Sequence, residues 1–368
     1  MSSERLGRRE FLKLAGGAIL SPIFGAIEKK VHSSERVSFN DQGVMSVDAE
    51  RFFPRVLYGL PGNPGEQQSW NLAKAAGFNT ITMFFPTQEA FLYADAAELK
   101  TVVRLDYAFP DFEPNENELR RLHQEPSVIA WEIDEPYPTW PNLESRLKFL
   151  SWLSERSSLP LRVTTYSGAR LVSSPEGTEF LERLYSSYPN IISGPDAYNP
   201  NPEMEIQAYD EYWDQQRRSG RTDIKTLWQV TSAHTEDEVY FGRDLTYEDI
   251  YYQTISGIVA GSRGIAYYDS PWGCDLRGCN IPSDQNGIIN SFAQNFENLR
   301  RVNSHLKEYE SALLGTEVYQ GTLFHTRIRI FADAYQMHKY WTFVSNPITR
   351  QASVHPQLII IPYFCSGV

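Results

Sequence analysis

Three carboxylates stand together at the end of one short apolar segment of this 368-residue chain. Residues 128–130 are apolar and lie between two prolines, a pattern that predicts a buried strand. Glu132, Asp134 and Glu135 follow directly. Placing several acids where a buried strand meets its loop costs desolvation and mutual repulsion, and both effects keep a carboxyl group protonated. The pattern indicates a general acid at this strand end, and the alternative is a set of solvated loop charges.

The elements that must position these acids follow a repeating pattern. From residue 54 onward, short apolar segments alternate with helical patterns at a spacing of about 30 residues, the length of successive βαβ units. Eight such units close a (β/α)8, or TIM, barrel, in which reacting residues project from the C-terminal ends of the strands. We predict strands at residues 55–60, 80–85, 101–106, 128–132, 161–166, 191–193, 225–230 and 264–268.

Acids and aromatic residues follow several of these predicted strands. Carboxylates can move protons at a glycosidic bond, and aromatic rings can stack on the faces of sugars. The sequence therefore predicts a carbohydrate site at the C-terminal rim, with no metal and no cofactor. The candidates for substrate binding are Asp106, Asp134, Tyr137, Trp140, Tyr198, Gln229 and Trp272, and those for catalysis are Glu135, Asp196 and Asp269.

The fourth-strand segment Trp131-Glu-Ile-Asp-Glu-Pro136 resembles a motif of bacterial glycosidase-like proteins. These belong with the (β/α)8 retaining glycoside hydrolases, a group that includes β-galactosidases and cellulases, and the resemblance covers about residues 54–312. It implies that Glu135 is the acid/base. Asp134 stands in the place of the group's Asn, and holding a sugar 2-hydroxyl is one role open to it. The chain departs from the group at the seventh strand, where Gln229 stands in place of the nucleophilic Glu and cannot form a glycosyl ester.

The second carboxylate is therefore open between Asp196, which is slightly preferred, and Asp269. A separation of about 5 Å from Glu135 would make a retaining pair, and one of roughly 6.5–9.5 Å an inverting pair. Each aspartate can alternatively brace a turn. A substrate-assisted route, with Asp134 orienting an acetamido group, ranks lower because the spacing does not match the chitinase strand. The rival function is a barrel that binds carbohydrate without cleaving it.

The amino-acid composition limits the classes of molecule that the protein is expected to bind. The formal net charge of −12 argues against nucleic acid and anionic membrane surfaces. The 8 Trp, 21 Tyr and 20 Phe suit sugar recognition. The 7 histidines are scattered rather than clustered at strand ends, which argues against a metal-dependent hydrolase. The expected partner is a carbohydrate substrate, and the oligomeric state is open.

The first residues predict export. Residues 7–13 carry paired arginines followed by Phe-Leu-Lys, and residues 14–26 are apolar, as in a signal peptide that spans about residues 1–30. The arginine pair resembles the twin-arginine signal, which implies a periplasmic or secreted bacterial protein. The apolar run is shorter than the ~20 residues of a membrane span, so no stable span is expected unless the signal stays uncleaved.

The remaining segments complete the predicted domain organisation. Residues 31–53 are polar without a strong period and are predicted to be a linker before the barrel of residues 54–312. Residues 313–368 predict a short antiparallel β appendage. Because so few strands follow the barrel, we expect this appendage to be incomplete, through truncation or a frame shift.

Overall fold

A computed structural model describes residues 36–40, 43–60, 65–134, 136–166, 175–196, 224–232, 245–259, 262–268 and 286–315. The predicted signal peptide and the strands predicted after residue 315 lie outside these ranges. So do Glu135, Tyr198, Asp269 and Trp272. Within the described ranges, no helix is long and apolar enough to cross a membrane.

From residue 54 onward, the described strands follow one another in the order that the sequence predicts. The strands are β1 (Val37–Phe39), β2 (Met45–Val47), β3 (Glu50–Phe52), β4 (Arg55–Tyr58), β5 (Thr80–Met83), β6 (Lys100–Arg104), β7 (Val128–Asp134), β8 (Leu161–Tyr166), β9 (Ile191–Asp196), β10 (Ile224–Leu227), β11 (Gln229–Ser232) and β12 (Ile265–Tyr268). The α-helices are Gln67–Ala75, Gln88–Ala96, Leu105–Ala108, Glu116–Gln124, Leu143–Ser154, Pro175–Ser187, Tyr247–Val259 and Asn286–Gly315, and a 3-10 turn spans Pro110–Phe112.

The strands from β4 onward form one closed parallel barrel. Hydrogen-bonded neighbours run in the order β10-β9-β11-β12-β4-β5-β6-β7-β8, and β8 pairs again with β9, which closes the ring. The segments β10 and β11 are separated only by Trp228 and both pair with β9, so together they occupy one of eight strand positions. The predicted (β/α)8 barrel is therefore confirmed, and β7 and β9 run two and three residues further toward the rim than the sequence suggested.

The barrel is held by strands that are buried on both faces. Each residue of β4 and β5 is buried, as expected for parallel strands covered by helices outside and by side chains inside. The helices contribute one apolar stripe each: Leu147, Leu150 and Leu153 lie buried on one side of the helix Leu143–Ser154. This packing holds each strand in place and so sets where the residues at its C-terminal end lie.

A small antiparallel sheet occupies much of the region that the sequence predicted as a linker. Strands β1, β2 and β3 form a meander that buries Met45 and Val47. Arg36 donates to the carbonyl of Glu125 at 2.6 Å, and Lys100 pairs with Asp48 at 3.2 Å. These contacts lie at the N-terminal ends of β6 and β7, so the sheet covers the end of the barrel that serves stability. Three-residue strands are too short to display a two-residue period in the sequence.

We expect His123 to make the fold less stable in acid. Its ring stacks on Trp131 at 5.7 Å and its Nε2 lies 2.9 Å from the Ser157 hydroxyl. Burial, with the nearby charge of Arg36, lowers the pKa of His123 to about 4. Because an unfolded histidine titrates near 6.5, the unfolded chain binds the proton more readily below that pH. The free energy of unfolding should therefore be undiminished above pH ~6.5 and fall by about 2–3 kcal/mol as the pH approaches 4.

Urea unfolding at about pH 7.5 and pH 4.5 measures this effect. His123→Gln should lose less stability between the two pH values than the wild type, whatever its stability at neutral pH. The same loss in both proteins would show that His123 does not carry the titration.

Candidate functional site

Strands β4, β6, β7 and β8, with the short helix after β6, bring a set of polar side chains together inside the rim of the barrel. All are joined by hydrogen bonds or ion pairs. We call this set the rim cluster; it consists of Tyr58, Arg104, Asp106, Glu132, Asp134 and Arg162.

The innermost pair of the rim cluster is Glu132 with Arg162. Nη1 of Arg162 donates to Oε2 of Glu132 at 2.6 Å, and both side chains are fully buried. The pair is set by strand register, since Glu132 of β7 lies opposite Arg162 of β8. Burial raises the pKa of Glu132, and the charges of Arg162 and Arg104 oppose that rise. Glu132 is thus neither a solvated loop charge nor a group that faces solvent.

The second ion pair system is centred on Arg104. Its Nη1 donates to Oδ2 of Asp134 at 2.7 Å, while Nε and Nη2 donate to the two oxygens of Asp106 at 2.9 and 2.7 Å. Burial alone lowers the pKa of Arg104, but the hydrogen bonds to Asp106 and the charge of Asp134 outweigh burial and raise it. Arg104 therefore stays charged and fixes the orientation of both carboxylates. Asp106 and Asp134, predicted separately from two strand ends, lie on either side of one guanidinium.

Tyr58 connects the two systems. Its hydroxyl donates to Oε1 of Glu132 at 2.5 Å and lies 3.4 Å from Oδ1 of Asp134 and 3.1 Å from the Thr164 hydroxyl. Burial, followed by the negative charges of Asp134 and Glu132, raises the pKa of Tyr58 well above its usual value. The hydroxyl thus keeps its proton and remains a donor.

The sequence did not single out Tyr58, Arg104 or Arg162. All three lie in strands whose other residues predict burial. For the two arginines, a charged residue within such a strand was the available signal. An arginine there needs an acidic partner, because burying an unpaired charge is very unfavourable.

Two predicted aromatic contacts lie in the loop after β7. The side chain of Tyr137 is 40% exposed. Trp140 is half-buried, and its ring packs against Phe112 at 5.4 Å and under the guanidinium of Arg146 at 3.9 Å. Trp140 is thus engaged with its own loop, while Tyr137 keeps surface available to a ligand.

The predicted partner acid Asp196 is the last residue of β9. Its backbone pairs with Tyr166 of β8 and Val230 of β11, so it ends its strand beside the seventh strand position. Its side chain lies outside the described part of the structure, and the catalytic roles given to Glu135, Asp196 and Asp269 stay predictions.

The structure places Gln229 away from the rim. Its side chain is fully buried, and its Nε2 donates to the carbonyl of Gln253 at 2.8 Å, on the outer helix Tyr247–Val259. The neighbouring Trp228 lies on the other side, with its ring 6.0 Å from the guanidinium of Arg162. A substrate contact through Gln229, as the sequence predicted, does not fit this position.

The packing of Gln229 gives a prediction at Gly257 on that helix. A Cβ at residue 257 would lie 1.4 Å from Oε1 and 2.2 Å from Cδ of Gln229. Glycine to alanine normally stabilises the middle of a helix by about 0.5–1 kcal/mol. Here Gly257→Ala should instead destabilise the protein by about 1–3 kcal/mol through overpacking, as measured by urea unfolding. Gln229→Ala in the same chain should recover much of that loss, and a stabilised single variant would contradict the packing.

The charges of the rim cluster do not cancel. Two arginines face three carboxylates, which leaves one net negative charge within the rim cluster. Among the described residues, no three histidine, cysteine or acidic side chains are arranged to hold a metal ion. The described chain is therefore a (β/α)8 barrel whose C-terminal rim presents a fixed, hydrogen-bonded and net acidic polar cluster.

Comparison with known proteins gives structural likenesses only. No family model and no curated protein matches the sequence. Among solved structures, a chitinase from Pseudoalteromonas aurantia is similar at 12% identity and a TM-score of 0.39, over 66% of this chain and 99% of that chain. An exo-β-1,3-glucanase from Aureobasidium namibiae follows at 10% identity and a TM-score of 0.40, over 61% and 86%. A truncated 3-deoxy-D-arabino-heptulosonate 7-phosphate synthase from Thermotoga maritima has 12% identity and a TM-score of 0.42, over 75% and 93%.

Proposed function

We propose that this protein hydrolyses O-glycosidic bonds in an oligo- or polysaccharide, with Glu135 as the proton donor. One observation supports the proposal most directly. Asp134, held by Arg104 and within reach of Tyr58, is the last residue of β7, and Glu135 is the next residue of the chain. In (β/α)8 enzymes the reacting groups come from these strand ends.

The charge of Asp134, the residue that precedes Glu135 in the chain, suits a proton donor. A glycosidase acid must hold its proton near neutral pH, and a neighbouring negative charge favours the protonated form. Asp134, the preceding residue of the chain, supplies negative charge, and Asp106 is bound to the same Arg104 guanidinium as Asp134. Arg104 is bound by both aspartates through Nε, Nη1 and Nη2, and its single positive charge offsets only one of their two negative charges.

The second acid in this proposal is Asp196 or Asp269. Asp196 has the stronger support, because β9 ends with it, two positions away from β7 around the barrel. Whether this acid attacks the sugar or activates water decides the anomeric configuration of the first product. NMR spectra recorded during the reaction show the anomeric configuration of the first product.

The test is a screen of the purified protein against a panel of oligosaccharides and polysaccharides, with release of reducing ends as the measurement. Turnover of one or more neutral glycans supports the proposal. Binding of a glycan without any release of reducing ends across the panel rejects hydrolysis.

A second candidate, a barrel that binds carbohydrate without cleaving it, also has a specific observation in its favour. The seventh strand position, Ile224–Leu227 and Gln229–Ser232, contains no acidic residue, and Gln229 faces the outer helix. This candidate predicts glycan affinity with no turnover, the outcome that rejects hydrolysis in the same screen.

An exported glycan-processing protein would meet its substrate outside the cytoplasm, as the twin-arginine-type signal predicts. We therefore propose a periplasmic or secreted location. Fractionation of cells that express the full chain tests it, and retention of all protein in the cytoplasm would reject it.

A further inference from the structure

Five aromatic rings form a continuous row across the rim, each in contact with the next. The centroid distances between successive rings are 5.4, 6.2, 5.5 and 5.1 Å. We call it the aromatic row; in order it consists of Tyr268, Tyr58, Phe84, Tyr107 and Phe85.

The row leads from the interior of the barrel to its surface. Tyr58 is buried among the rim cluster, and Phe84 is half-buried. At the outer end the side chains of Tyr107 and Phe85 are 37% and 48% exposed. Phe84 and Phe85 directly follow β5, and Tyr107 lies in the short helix after β6, so both loops belong to the C-terminal rim.

Scattered exposed aromatic residues need no explanation, but this pair is not scattered. Phe85 and Tyr107 touch edge to face, at an interplanar angle of 79°, and continue a row that includes Tyr58 of the rim cluster. The Arg104 guanidinium lies 5.6 Å from the Tyr107 ring and holds the half-exposed carboxylate of Asp106 beside it. The outer end thus combines apolar ring surface with a fixed hydrogen-bond acceptor.

That combination matches a sugar ring. A pyranose presents an apolar face that stacks on aromatic rings and hydroxyl groups that donate to carboxylates. Each Asp106 oxygen accepts one hydrogen bond from Arg104 and keeps a second lone pair. The net negative charge of the rim cluster disfavours an acidic sugar at the same place.

We propose that Phe85 and Tyr107, with Asp106, form a binding subsite for one neutral sugar unit of an oligosaccharide whose next units reach the rim cluster. The inference rests on the proposed function and specifies its substrate class, a neutral glycan of at least two units. It assigns a binding role to two rings in the second and third loops, apart from the loop that carries Glu135.

Binding measurements test the subsite independently of turnover. Phe85→Ala and Tyr107→Ala should each weaken the affinity for a neutral oligosaccharide roughly three- to tenfold, measured by calorimetry in a Glu135→Gln background. Tyr107→Phe keeps the ring and should bind as the parent does. Leu92→Ala is the matched control, because Leu92 is 60% exposed on the helix Gln88–Ala96 and is not a member of the row.

Two results would overturn the subsite. One is an unchanged affinity in both alanine variants. The other is tighter binding of acidic than of neutral oligosaccharides by the parent protein. If the oligosaccharide screen detects no hydrolysis but the alanine variants still lose affinity, the subsite stands and only the hydrolytic function fails.

Discussion

Replacing Arg162 with methionine is expected to lower the free energy of unfolding by about 3–5 kcal/mol. The substitution keeps most of the side-chain volume but leaves Glu132 buried without its 2.6 Å partner. Arg104 does not replace that partner, since its hydrogen bonds go to Asp106 and Asp134. Urea unfolding at neutral pH measures the loss.

The pH dependence of this loss identifies its cause. Without Arg162, burial would raise the pKa of Glu132 further above its unfolded value, so the folded protein would take up a proton. A group whose pKa is raised on folding contributes no penalty below its unfolded pKa and an increasing one as the pH rises. The difference between wild type and Arg162→Met should therefore be smallest near pH 4.5 and larger at pH 8. Glu132→Gln added to Arg162→Met should recover a large part of the stability at pH 8.

Arg300→Met is the matched control for Arg162→Met. Arg300 pairs with Glu297 at 2.7 Å but on an exposed helix surface, where such pairs contribute little. The decrease in the free energy of unfolding caused by Arg300→Met should be several-fold smaller than that caused by Arg162→Met, and nearly independent of pH. If Arg162→Met cost no more than Arg300→Met at any pH, the buried pair would not be a determinant of stability.

The sequence predicts the barrel well because its signal is repetitive. Each of the eight strand positions is a short segment that carries apolar residues, with polar ones among them in β5 and β8, and the segments recur at the length of a βαβ unit. Parallel strands are buried on both faces, so their pattern survives without knowledge of which side chain faces which way. Strand existence could therefore be predicted at every position.

Burial on both faces also makes the residues of the site hard to predict from the sequence. In a strand covered on both sides, alternation does not tell which residues face the interior and which face the helices. Gln229 and Trp228 illustrate this: they are adjacent, yet only Trp228 lies against Arg162. The sequence found Asp134, which ends β7, and Asp106, which follows β6 by two residues, because acids near strand ends stand out. It missed the arginines because an ion pair between strands depends on register. Glu132 lies opposite Arg162 because β7 pairs with β8 in one register, and the composition of the strands does not reveal that register.

Replacing Glu135 with glutamine is expected to lower kcat roughly 10²- to 10⁴-fold on an unactivated oligosaccharide, the usual contribution of a general acid. Glutamine keeps the size and the hydrogen-bonding groups of the side chain but has no proton to give to the departing sugar oxygen. Substrate binding should change little, since the rim cluster and the aromatic row remain. Steady-state release of reducing ends and calorimetric affinity separate the two effects.

Glu50→Gln is the matched control, the same chemical change at an exposed residue of β3, which belongs to the sheet at the opposite end of the barrel. It should leave kcat unchanged. A substrate with an activated aryl leaving group needs less protonation, so Glu135→Gln should be less impaired on it than on an oligosaccharide. The alkaline limb of the kcat/KM profile, which follows loss of the donated proton, should disappear in Glu135→Gln. If that limb persisted at the same pH with wild-type turnover, the proton would come from another group and Glu135 would have no part in the chemistry.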